Sequence, residues 1–337
     1  MANIIMTDYC NQNCSYCFAK TMMTHDRRNM EMSDFLQITN YLKQNNEDHV
    51  GIIGGEPTLH PQIVSCITSL LEKDFKVQLF TNGLVPAGVV KKLAQLDKDQ
   101  LRILVNVNDR SFYSRSRLAH LESTLHLFGD NAVLGYTLFT PDVDLSFHAE
   151  LIKRHDLGRG LRLGLASPIV GHPSGDVSFT KNFETLGARI VENIVRLEKD
   201  DILLNFDCGF TMCMFTAAEL GIITQKTKGF TSVCNPVLDI DIDLNIHHCF
   251  PLTNVLSVPM ARFPNLEALK KTYEKLFRSI KIFGKQGNCL ECKYLKRHQC
   301  SGWCLGHILN SNEGLLEKIN TAGRKALFAP AEKGADA

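Results

Sequence analysis

Short apolar stretches recur along the chain, and helical patterns separate most of them. The mainly apolar runs are residues 3–7, 49–54, 75–80, 101–107, 132–139, 161–166 and 202–206. Between runs, apolar residues return every three or four positions, as Phe35, Ile38 and Leu42 do in a segment that Ser33 is predicted to cap. Strands that alternate with helices predict βαβ units, and therefore an α/β fold with a parallel sheet and right-handed crossovers.

The number of these units predicts the kind of sheet. Six or seven of them give an open or partial barrel, whose chemistry should lie at the C-terminal ends of the strands. The run Ile103-Leu104-Val105 is apolar throughout, which fits a strand covered on both faces. A further helix is predicted from the repeat of Phe183, Leu186, Ile190, Ile194 and Leu197.

After this last helical repeat the composition changes. Residues 237–246 alternate between apolar and polar, which is typical of a half-buried β-hairpin. A second long helix is predicted next, with one face formed by Leu266, Leu269, Tyr273, Leu276, Phe277 and Ile280. We therefore expect a large α/β unit over residues 1–200, a cysteine-rich unit over 201–310, and a C-terminal helix and tail over 311–337.

Composition narrows the classes of function. The 337 residues include 37 basic and 36 acidic side chains, whereas nucleic-acid surfaces usually show a basic excess. No apolar run approaches the ~20 residues of a membrane span, and no secretory leader precedes the first strand. We therefore expect a cytoplasmic protein without membrane or nucleic-acid partners. Twelve cysteines in such a protein favour metal binding over disulfides, because the cytosol keeps thiols reduced.

Three cysteines follow the first predicted strand within one short loop. Cys10, Cys14 and Cys17 are spaced four and three residues apart, so the loop can present three thiolates to one [4Fe–4S] cluster. With three protein ligands, one iron would stay open for an external ligand. Two alternatives remain: a structural zinc site with His25 as the fourth ligand, or a disulfide with one free thiol.

The segment Gly54-Gly55-Glu56-Pro57 ends the second predicted strand. Two residues without Cβ let a ligand approach the backbone closely. The adjacent carboxylate can accept charge-assisted hydrogen bonds from an ammonium group. The alternative is an ordinary turn between a strand and a helix.

Together, the two segments resemble the motifs of the radical S-adenosylmethionine (AdoMet) superfamily, with Tyr16 as the aromatic residue before the third cysteine. The resemblance implies a partial (β/α)6 barrel over about residues 1–200. It also implies a [4Fe–4S] cluster on Cys10, Cys14 and Cys17, whose open iron binds AdoMet. One electron would then cleave AdoMet to methionine and a 5′-deoxyadenosyl radical. A flavodoxin or ferredoxin is the expected electron donor.

The resemblance assigns further AdoMet contacts, some of them by position alone. Gly54, Gly55, Glu56 and Pro57 would bind the amino group of AdoMet. Thr81 and Asn82 would lie near the cofactor, although Thr81-Asn82-Gly83 also reads as a simple turn. The remaining positional assignments are Asn106 and Asn108 for the ribose and Leu165 for the adenine.

Eight cysteines fall between residues 208 and 304, and this region resembles the SPASM extension, which carries two auxiliary [4Fe–4S] clusters. The resemblance places Cys234, Cys249 and Cys304 with either Cys208 or Cys213 at an inner cluster. It places Cys289, Cys292 and Cys300 at an outer cluster. The fourth outer ligand is left open between the spare upstream cysteine, His298, His307 and an Asp or Glu. A zinc ribbon is the alternative for the last four cysteines.

The region also departs from the SPASM pattern. Leu244 stands where the family has a glycine, and Gly302-Trp303 stands where it has a glycine pair. No cysteine follows Cys304 in this sequence, whereas the family has one downstream. Cys66, outside both groups, is predicted to fill a helix interface as an apolar side chain.

Three functions are compatible with these features. The first is a radical AdoMet enzyme that modifies a peptide or protein side chain, by crosslinking or dehydrogenation, with a separate leader-recognition protein as a possible partner. The second is oxidation, epimerisation or rearrangement of a small molecule, with Asp207 as a candidate proton acceptor. The third is a metal-binding protein without catalysis, which Gly54-Gly55-Glu56-Pro57 argues against.

Overall fold

A computed structural model describes residues 1–17, 19, 20, 22, 26–168, 170, 183–283, 288–310, 312, 314–319 and 321. The predicted zinc ligand His25 and most of the predicted tail at 311–337 lie outside the described residues. In the part of the chain that is described, no helix is long and apolar enough to cross a membrane.

Seven parallel strands form the body of the protein. They are β1 (Ala2–Ile5), β2 (His49–Ile53), β3 (Lys76–Thr81), β4 (Leu101–Asn106), β5 (Ala132–Leu138), β6 (Gly160–Leu165) and β7 (Leu203–Phe206). Each pairs with the next in chain order, which confirms the predicted α/β fold with a parallel sheet. β7 follows residue 200, where the barrel was expected to end, and still belongs to the sheet.

A helix connects each pair of successive parallel strands. These helices are α1 (Met32–Gln44), α2 (Ile63–Glu72), α3 (Ala87–Leu93), α4 (Arg115–Phe128), α5 (Ser146–Arg154) and α6 (Phe183–Glu198). The predicted apolar face of α1 is fully buried. The predicted Ser33 cap is wrong, because the helix begins at Met32 after Glu31 and Ser33 lies in its first turn.

The sheet curves so that side chains from distant strands meet on its concave face. The guanidinium of Arg162 on β6 lies 5.3 Å from the ring centre of Phe80 on β3, although two strands separate them in the sheet. Arg162 also forms a 2.7 Å ion pair with Asp207, directly after β7. The opposite face of the sheet packs on the helices, with Leu79, Leu161 and Leu163 buried. This curvature is that of a partial barrel.

The cysteine-rich region joins the same sheet. It contains α7 (Ala217–Lys226), β8 (Leu238–Ile240), β9 (Asn245–His247), β10 (Ser257–Pro259), α8 (Leu266–Phe283), α9 (Lys293–Lys296) and α10 (Leu305–Asn310). β8 and β9 pair antiparallel, which confirms the hairpin predicted for 237–246. β8 also pairs parallel with β1, so the sheet runs in the order β10-β9-β8-β1-β2-β3-β4-β5-β6-β7.

Candidate functional site

The predicted motifs meet at one edge of the sheet. The cysteine loop, residues 10–17, follows β1; Gly54-Gly55-Glu56-Pro57 follows β2; Thr81 ends β3 and Asn82 follows it; and Asn108 comes just after β4. Parallel strands place their C-terminal ends together, so four separate segments of the chain converge here.

The glycine pair packs directly on the start of the cysteine loop. Gly55 N–H donates to Thr7 O over 2.9 Å, and Glu56 N–H donates to Tyr9 O over 2.8 Å. A Cβ on Gly55 would lie 2.3 Å from Tyr9 O, which is closer than any side chain permits. Glycine is therefore required at Gly55 so that the two backbones can meet.

Glu56 is fully buried, and its carboxylate binds protein groups. It accepts hydrogen bonds from Thr58 N–H at 3.1 Å, Thr58 Oγ1 at 2.6 Å, Thr81 Oγ1 at 2.8 Å and Asn82 N–H at 2.6 Å. Burial raises the pKa of Glu56, and these hydrogen bonds oppose the shift. The carboxylate thus ties the turn after β2 to the end of β3, while contact with an AdoMet amino group stays a prediction. Pro57, also buried, begins the 3₁₀ turn Pro57–Leu59.

Asn82 connects the end of β3 to the cysteine loop. Its Nδ2 donates to Asn11 Oδ1 over 2.7 Å and lies 3.6 Å from Cys10 Sγ. Gly83, at φ +79°, makes the turn that follows. Asn11 Nδ2 in turn donates to Leu84 O over 2.9 Å. Thr81-Asn82-Gly83 is therefore a turn, as one of its two predictions had it. The Asn82 side chain in this turn also lies beside Cys10, a candidate cluster ligand.

Asn108 makes the corresponding connection from β4. Its Nδ2 donates to Gln12 Oε1 over 3.2 Å and lies 3.6 Å from Cys14 Sγ. The Tyr16 hydroxyl donates to Asn108 Oδ1, and its ring stacks on Phe139 with centroids 4.6 Å apart. Tyr16 is thus held by polar and aromatic contacts on the inner side of the loop.

The other positional predictions lie differently. Asn106 is exposed at the end of β4, beside Gly135, and within the described chain its side chain makes no hydrogen bond. Leu165 is buried at the end of β6. Gly209 packs on it, because a Cβ on Gly209 would lie 3.5 Å from Leu165 Cβ. Among the described residues, neither side chain makes a hydrogen bond to the cysteine loop of the kind that Asn82 and Asn108 make.

Several residues of this site were not predicted. Asn11 and Gln12 lie inside the cysteine motif itself. Their side-chain oxygens accept hydrogen bonds from the amide groups of Asn82 and Asn108, respectively. Arg117, at the start of α4, donates to Asn11 O over 3.1 Å. The polar residues between the cysteines were the available signal, whereas Phe139 and Arg117 become neighbours only through the fold.

The chemistry of the loop fits an iron–sulfur cluster. Cys10 and Cys14 lie beside amide N–H donors, and such donors stabilise cluster thiolates. Without a metal, burial raises the pKa of Cys10 to about 11 and also raises that of Cys17. Among the described residues, no three His, Cys, Asp or Glu side chains form a group that could hold a metal ion as they stand.

Four of the C-terminal cysteines form one neighbourhood, which we call the inner group: Cys208, Cys234, Cys249 and Cys304. After burial, the thiols of Cys304, Cys234 and Cys208 are among the causes that raise the pKa of Cys249. Burial and the Asp207 carboxylate raise the pKa of Cys208, and the thiols of Cys304 and Cys234 add to the rise. Cys208 thus lies close enough to these three thiols for their charges to interact, although the four side chains as they stand do not form a group that could hold a metal ion.

Cys213 is exposed, and its thiol is 3.2 Å from Thr211 Oγ1. Burial raises the pKa of Cys300, and the Cys213 thiol adds to that rise. Cys289 and Cys292 form a tight turn, closed by the 3.0 Å bond from Cys292 N–H to Cys289 O. His298, one of the alternative outer ligands, turns the chain between α9 and Cys300 at φ +56°. His307, the other alternative, is buried in α10 against Trp303.

Two departures from the SPASM pattern occur at positive φ. Leu244 has φ +60° and Trp303 has φ +106°, and both values favour glycine. Around Leu244 the turn is held by Asp241, whose Oδ1 accepts from Asp243 N–H and Asn245 N–H. Trp303 is buried, with its ring centre 5.0 Å from that of His307. The turns are therefore kept although larger side chains occupy them.

A family model decides what the N-terminal motifs belong to. Residues 4–122 match the Radical SAM superfamily model. The chain carries a radical SAM domain. Such a domain implies a [4Fe–4S] cluster and AdoMet, and the cysteine loop and the turn after β2 both lie inside the matched residues.

Comparison with individual proteins extends the likeness. This chain is 32% identical over 104 residues to a GTP 3′,8-cyclase of Limosilactobacillus fermentum, covering 30% of this chain and 31% of that enzyme. Over the first curated relatives, it spans between 29% and 38% of their length. These similarities therefore concern part of each protein.

Two solved structures match over most of the chain. Streptococcus suis SuiB bound to precursor peptide SuiA has a TM-score of 0.62 at 16% identity, over 90% of this chain and 71% of SuiB. Native anSMEcpe with bound AdoMet and Cp18Cys peptide has a TM-score of 0.65 at 14% identity, over 97% of this chain and 95% of anSMEcpe. At these identities the likeness establishes the shared fold.

Proposed function

We propose that the chain is a radical AdoMet enzyme that oxidatively modifies a side chain of a peptide or protein, by crosslinking or dehydrogenation. The observation that carries this is the hydrogen-bonded junction of the cysteine loop and the Gly54–Pro57 turn at one edge of the barrel. The fold around that junction resembles, over 90% and 97% of this chain, two proteins whose structures contain peptides.

In this proposal, Cys10, Cys14 and Cys17 hold the [4Fe–4S] cluster that AdoMet binds. When bound, this cluster supplies the electron that converts AdoMet to methionine and a 5′-deoxyadenosyl radical. The side-chain amides of Asn82 and Asn108 stabilise the Cys10 and Cys14 thiolates. The glycines at 54 and 55 let this turn pack closely on the backbone of Thr7 and Tyr9, and Glu56 keeps the turn in place.

The concave face of the sheet is the proposed substrate side. Arg162 and Asp207 form an ion pair there, and Asp207 Oδ1 accepts from Cys208 N–H over 2.8 Å. Because both carboxylate oxygens of Asp207 are bound, we assign this residue to holding Cys208 and Arg162 in place. Arg162 then offers a fixed positive group to a substrate carboxylate or carbonyl.

The cysteine-rich region, proposed as a SPASM-type unit over 201–310, would hold two auxiliary [4Fe–4S] clusters. Electron transfer from a flavodoxin or ferredoxin, and away from the oxidised substrate, is their proposed role. Cationic and neutral groups surround the inner group: Lys281 donates to Cys234, and burial lowers the pKa of His248 to about 3 beside Cys249. A positive charge near a cluster raises its reduction potential.

A small-molecule substrate is the second candidate. The observation that favours it is the partial sequence likeness to a GTP 3′,8-cyclase, whose name states a nucleotide reaction. That likeness covers 30% of this chain, whereas the fold likeness to the peptide-bound proteins covers at least 90%. The peptide proposal therefore accounts for more of the molecule.

The test uses anaerobically reconstituted protein with AdoMet and dithionite. We expect 5′-deoxyadenosine in mass spectrometry. With peptides encoded next to the gene, we expect a product that has lost two hydrogens. GTP serves as the small-molecule comparison, and the variant with Cys10, Cys14 and Cys17 all changed to Ala is the control. Consumption of GTP with no peptide product would favour the second candidate, and no 5′-deoxyadenosine would refute both.

A further inference from the structure

We propose that a cationic cleft in the cysteine-rich region binds an acidic segment of the peptide substrate, away from the side chain that is modified. This α8 cleft lies between α8, residues 233–238 and residues 290–301, and its volume is about 830 Å³. Ligand pockets in proteins commonly measure about 300–1,000 Å³. The proposal rests on the proposed peptide substrate and adds the chemical class of the segment that docks.

The first wall of the cleft is one face of α8. The apolar face of this helix, which includes Leu269, Tyr273 and Phe277, is buried. The neighbouring stripe lines the cleft and consists of Glu267, Lys270, Lys271, Glu274, Arg278 and Lys281. At 1.5 Å per residue, this stripe is about 21 Å long. An extended peptide segment of about six residues has the same length.

The charge of the cleft differs from that of the whole chain. Five basic and two acidic side chains line it, whereas the chain as a whole has 37 basic and 36 acidic residues. Lys271 and Lys296 have carboxylate partners, Glu267 and Glu291. Arg278 is exposed and, within the described part of the chain, forms no ion pair, so its charge is available to a ligand. The excess of positive charge favours an acidic occupant.

Two exposed apolar side chains also line the cleft. Leu290 is 51% exposed and Val233 is 45% exposed, and these are the most exposed large apolar residues in the described part of the chain. A nucleic acid would be bound by phosphate contacts and by stacking on aromatic rings, which aliphatic side chains do not provide. A peptide that carries both acidic and apolar side chains fits this lining.

The cleft lies on the side of the sheet that faces away from the concave face. Asn3 Nδ2 donates to Asp239 Oδ1 over 2.7 Å, so these two side chains point to the same side. A Cβ on Gly51 would meet both Asn3 and Phe80, which places Asn3 on the concave face. Successive side chains of a strand alternate, so Leu238, which lines the cleft, points to the opposite side. A segment bound in the cleft therefore docks the peptide, and another part of the peptide must reach the concave face.

The test measures the binding of labelled synthetic peptides to the anaerobically reconstituted protein by fluorescence anisotropy. The probe has about eight residues and alternates Glu with Leu, which covers the length of the stripe. In two matched probes, Gln replaces Glu or Ser replaces Leu, and we expect each to bind about tenfold more weakly. Binding of the first probe should also weaken between about 0.05 and 0.5 M salt, because exposed charges are screened.

Charge reversal on both walls tests the site itself. In the protein with Arg278→Glu and Lys296→Glu, we expect the first probe to bind about tenfold more weakly. Lys275→Glu, at an exposed position of α8 outside the cleft, is the matched control and should stay within about twofold of the parent. Unchanged binding in the double variant, an equal loss in the control, or tighter binding of an oligothymidylate than of the probe would overturn the proposal.

A flavodoxin is the other acidic occupant to compare. If the double variant lost 5′-deoxyadenosine formation with flavodoxin but not with dithionite, while probe binding stayed unchanged, the cleft would be a donor site and the proposal would be wrong. With a peptide that is modified, the double variant should raise KM and leave kcat unchanged. Probe binding that follows the charges, without modification of any peptide, would refute the proposed function and leave the cleft as a site for acidic peptides.

Discussion

In the cysteine loop, three thiols lie between Cys10 and Cys17 in one continuous segment, and amides from the ends of β3 and β4 surround them. In the inner group, four thiols come from four segments between Cys208 and Cys304, with Lys281 and His248 as neighbours. Local spacing creates the first arrangement, and the tertiary fold creates the second. The three thiols of the cysteine loop can therefore be recognised from the sequence alone. The members of the inner group can be recognised only once it is known which segments the fold brings together.

The largest expected effect separates the two regions completely. Changing Cys10, Cys14 and Cys17 to Ala should abolish reductive AdoMet cleavage and remove about four irons per chain, while the C-terminal sites keep theirs. Iron analysis and 5′-deoxyadenosine formation measure the two outcomes, with Cys66→Ala as control. Unchanged cleavage in the triple variant would show that the loop does not hold the active cluster.

The next effect concerns the turn that the loop packs on. In Glu56→Gln, an amide NH₂ replaces an oxygen that accepts N–H groups, so one buried donor loses its partner. We expect AdoMet affinity to fall about ten- to hundredfold, equal to about 1.5–3 kcal/mol, with iron content unchanged. Thr58→Val removes only one hydroxyl contact and should have a smaller effect. Binding equal to the parent in isothermal titration would contradict this role of Glu56.

A pH effect is expected where β8 joins the two regions. Asp239 is buried on β8, and burial raises its pKa to about 7. An unfolded Asp has a pKa of about 3.9, so between about pH 4 and pH 7 the folded chain binds more protons than the unfolded chain. The contribution of Asp239 to the free energy of unfolding therefore falls as the pH rises through that range.

Asp239→Asn removes this titration. Between about pH 5 and pH 8, we expect the free energy of unfolding to fall by on the order of a few kcal/mol less in the variant than in the parent. The melting temperature of the variant should therefore fall less over the same range. Asp99→Asn, at an exposed loop position, should follow the parent curve. Identical curves for Asp239→Asn and the parent would mean that Asp239 is ionised in the folded protein at low pH.

The smallest effect tests the departures in the C-terminal region. At φ +60°, a Cβ on residue 244 costs about 1 kcal/mol, so Leu244→Gly should be more stable than Leu244→Ala by about that amount. At Lys271, exposed in α8, the order should be the opposite, with Ala about 1 kcal/mol better than Gly. Anaerobic thermal unfolding of the four variants gives the comparison. The same order at both positions would contradict strain at Leu244.

Much of the barrel was predictable because apolar runs and helical repeats fix strands and helices locally. The apolar face of α1 and the 237–246 hairpin are examples, whereas Ser33 was misassigned because Glu31 and Met32 already start the helix. The pairing of β8 with β1 could not be predicted, since no local pattern records which distant strand completes an edge. The proximity of Cys208 to Cys234 and Cys304 was hidden for the same reason, because it depends on how separate segments of the chain pack together.

The β8–β1 pairing also sets an order of events during synthesis. β1 leaves the ribosome before its partner strand Leu238–Ile240, which follows more than two hundred residues later in the chain. At about 5–20 residues per second, one side of β1 waits on the order of 10–50 s with unpaired backbone N–H and C=O groups. During this interval the nascent barrel has an open apolar edge beside the cysteine loop, where a chaperone or a cluster-delivery protein has direct access. Translation of β8 closes that edge.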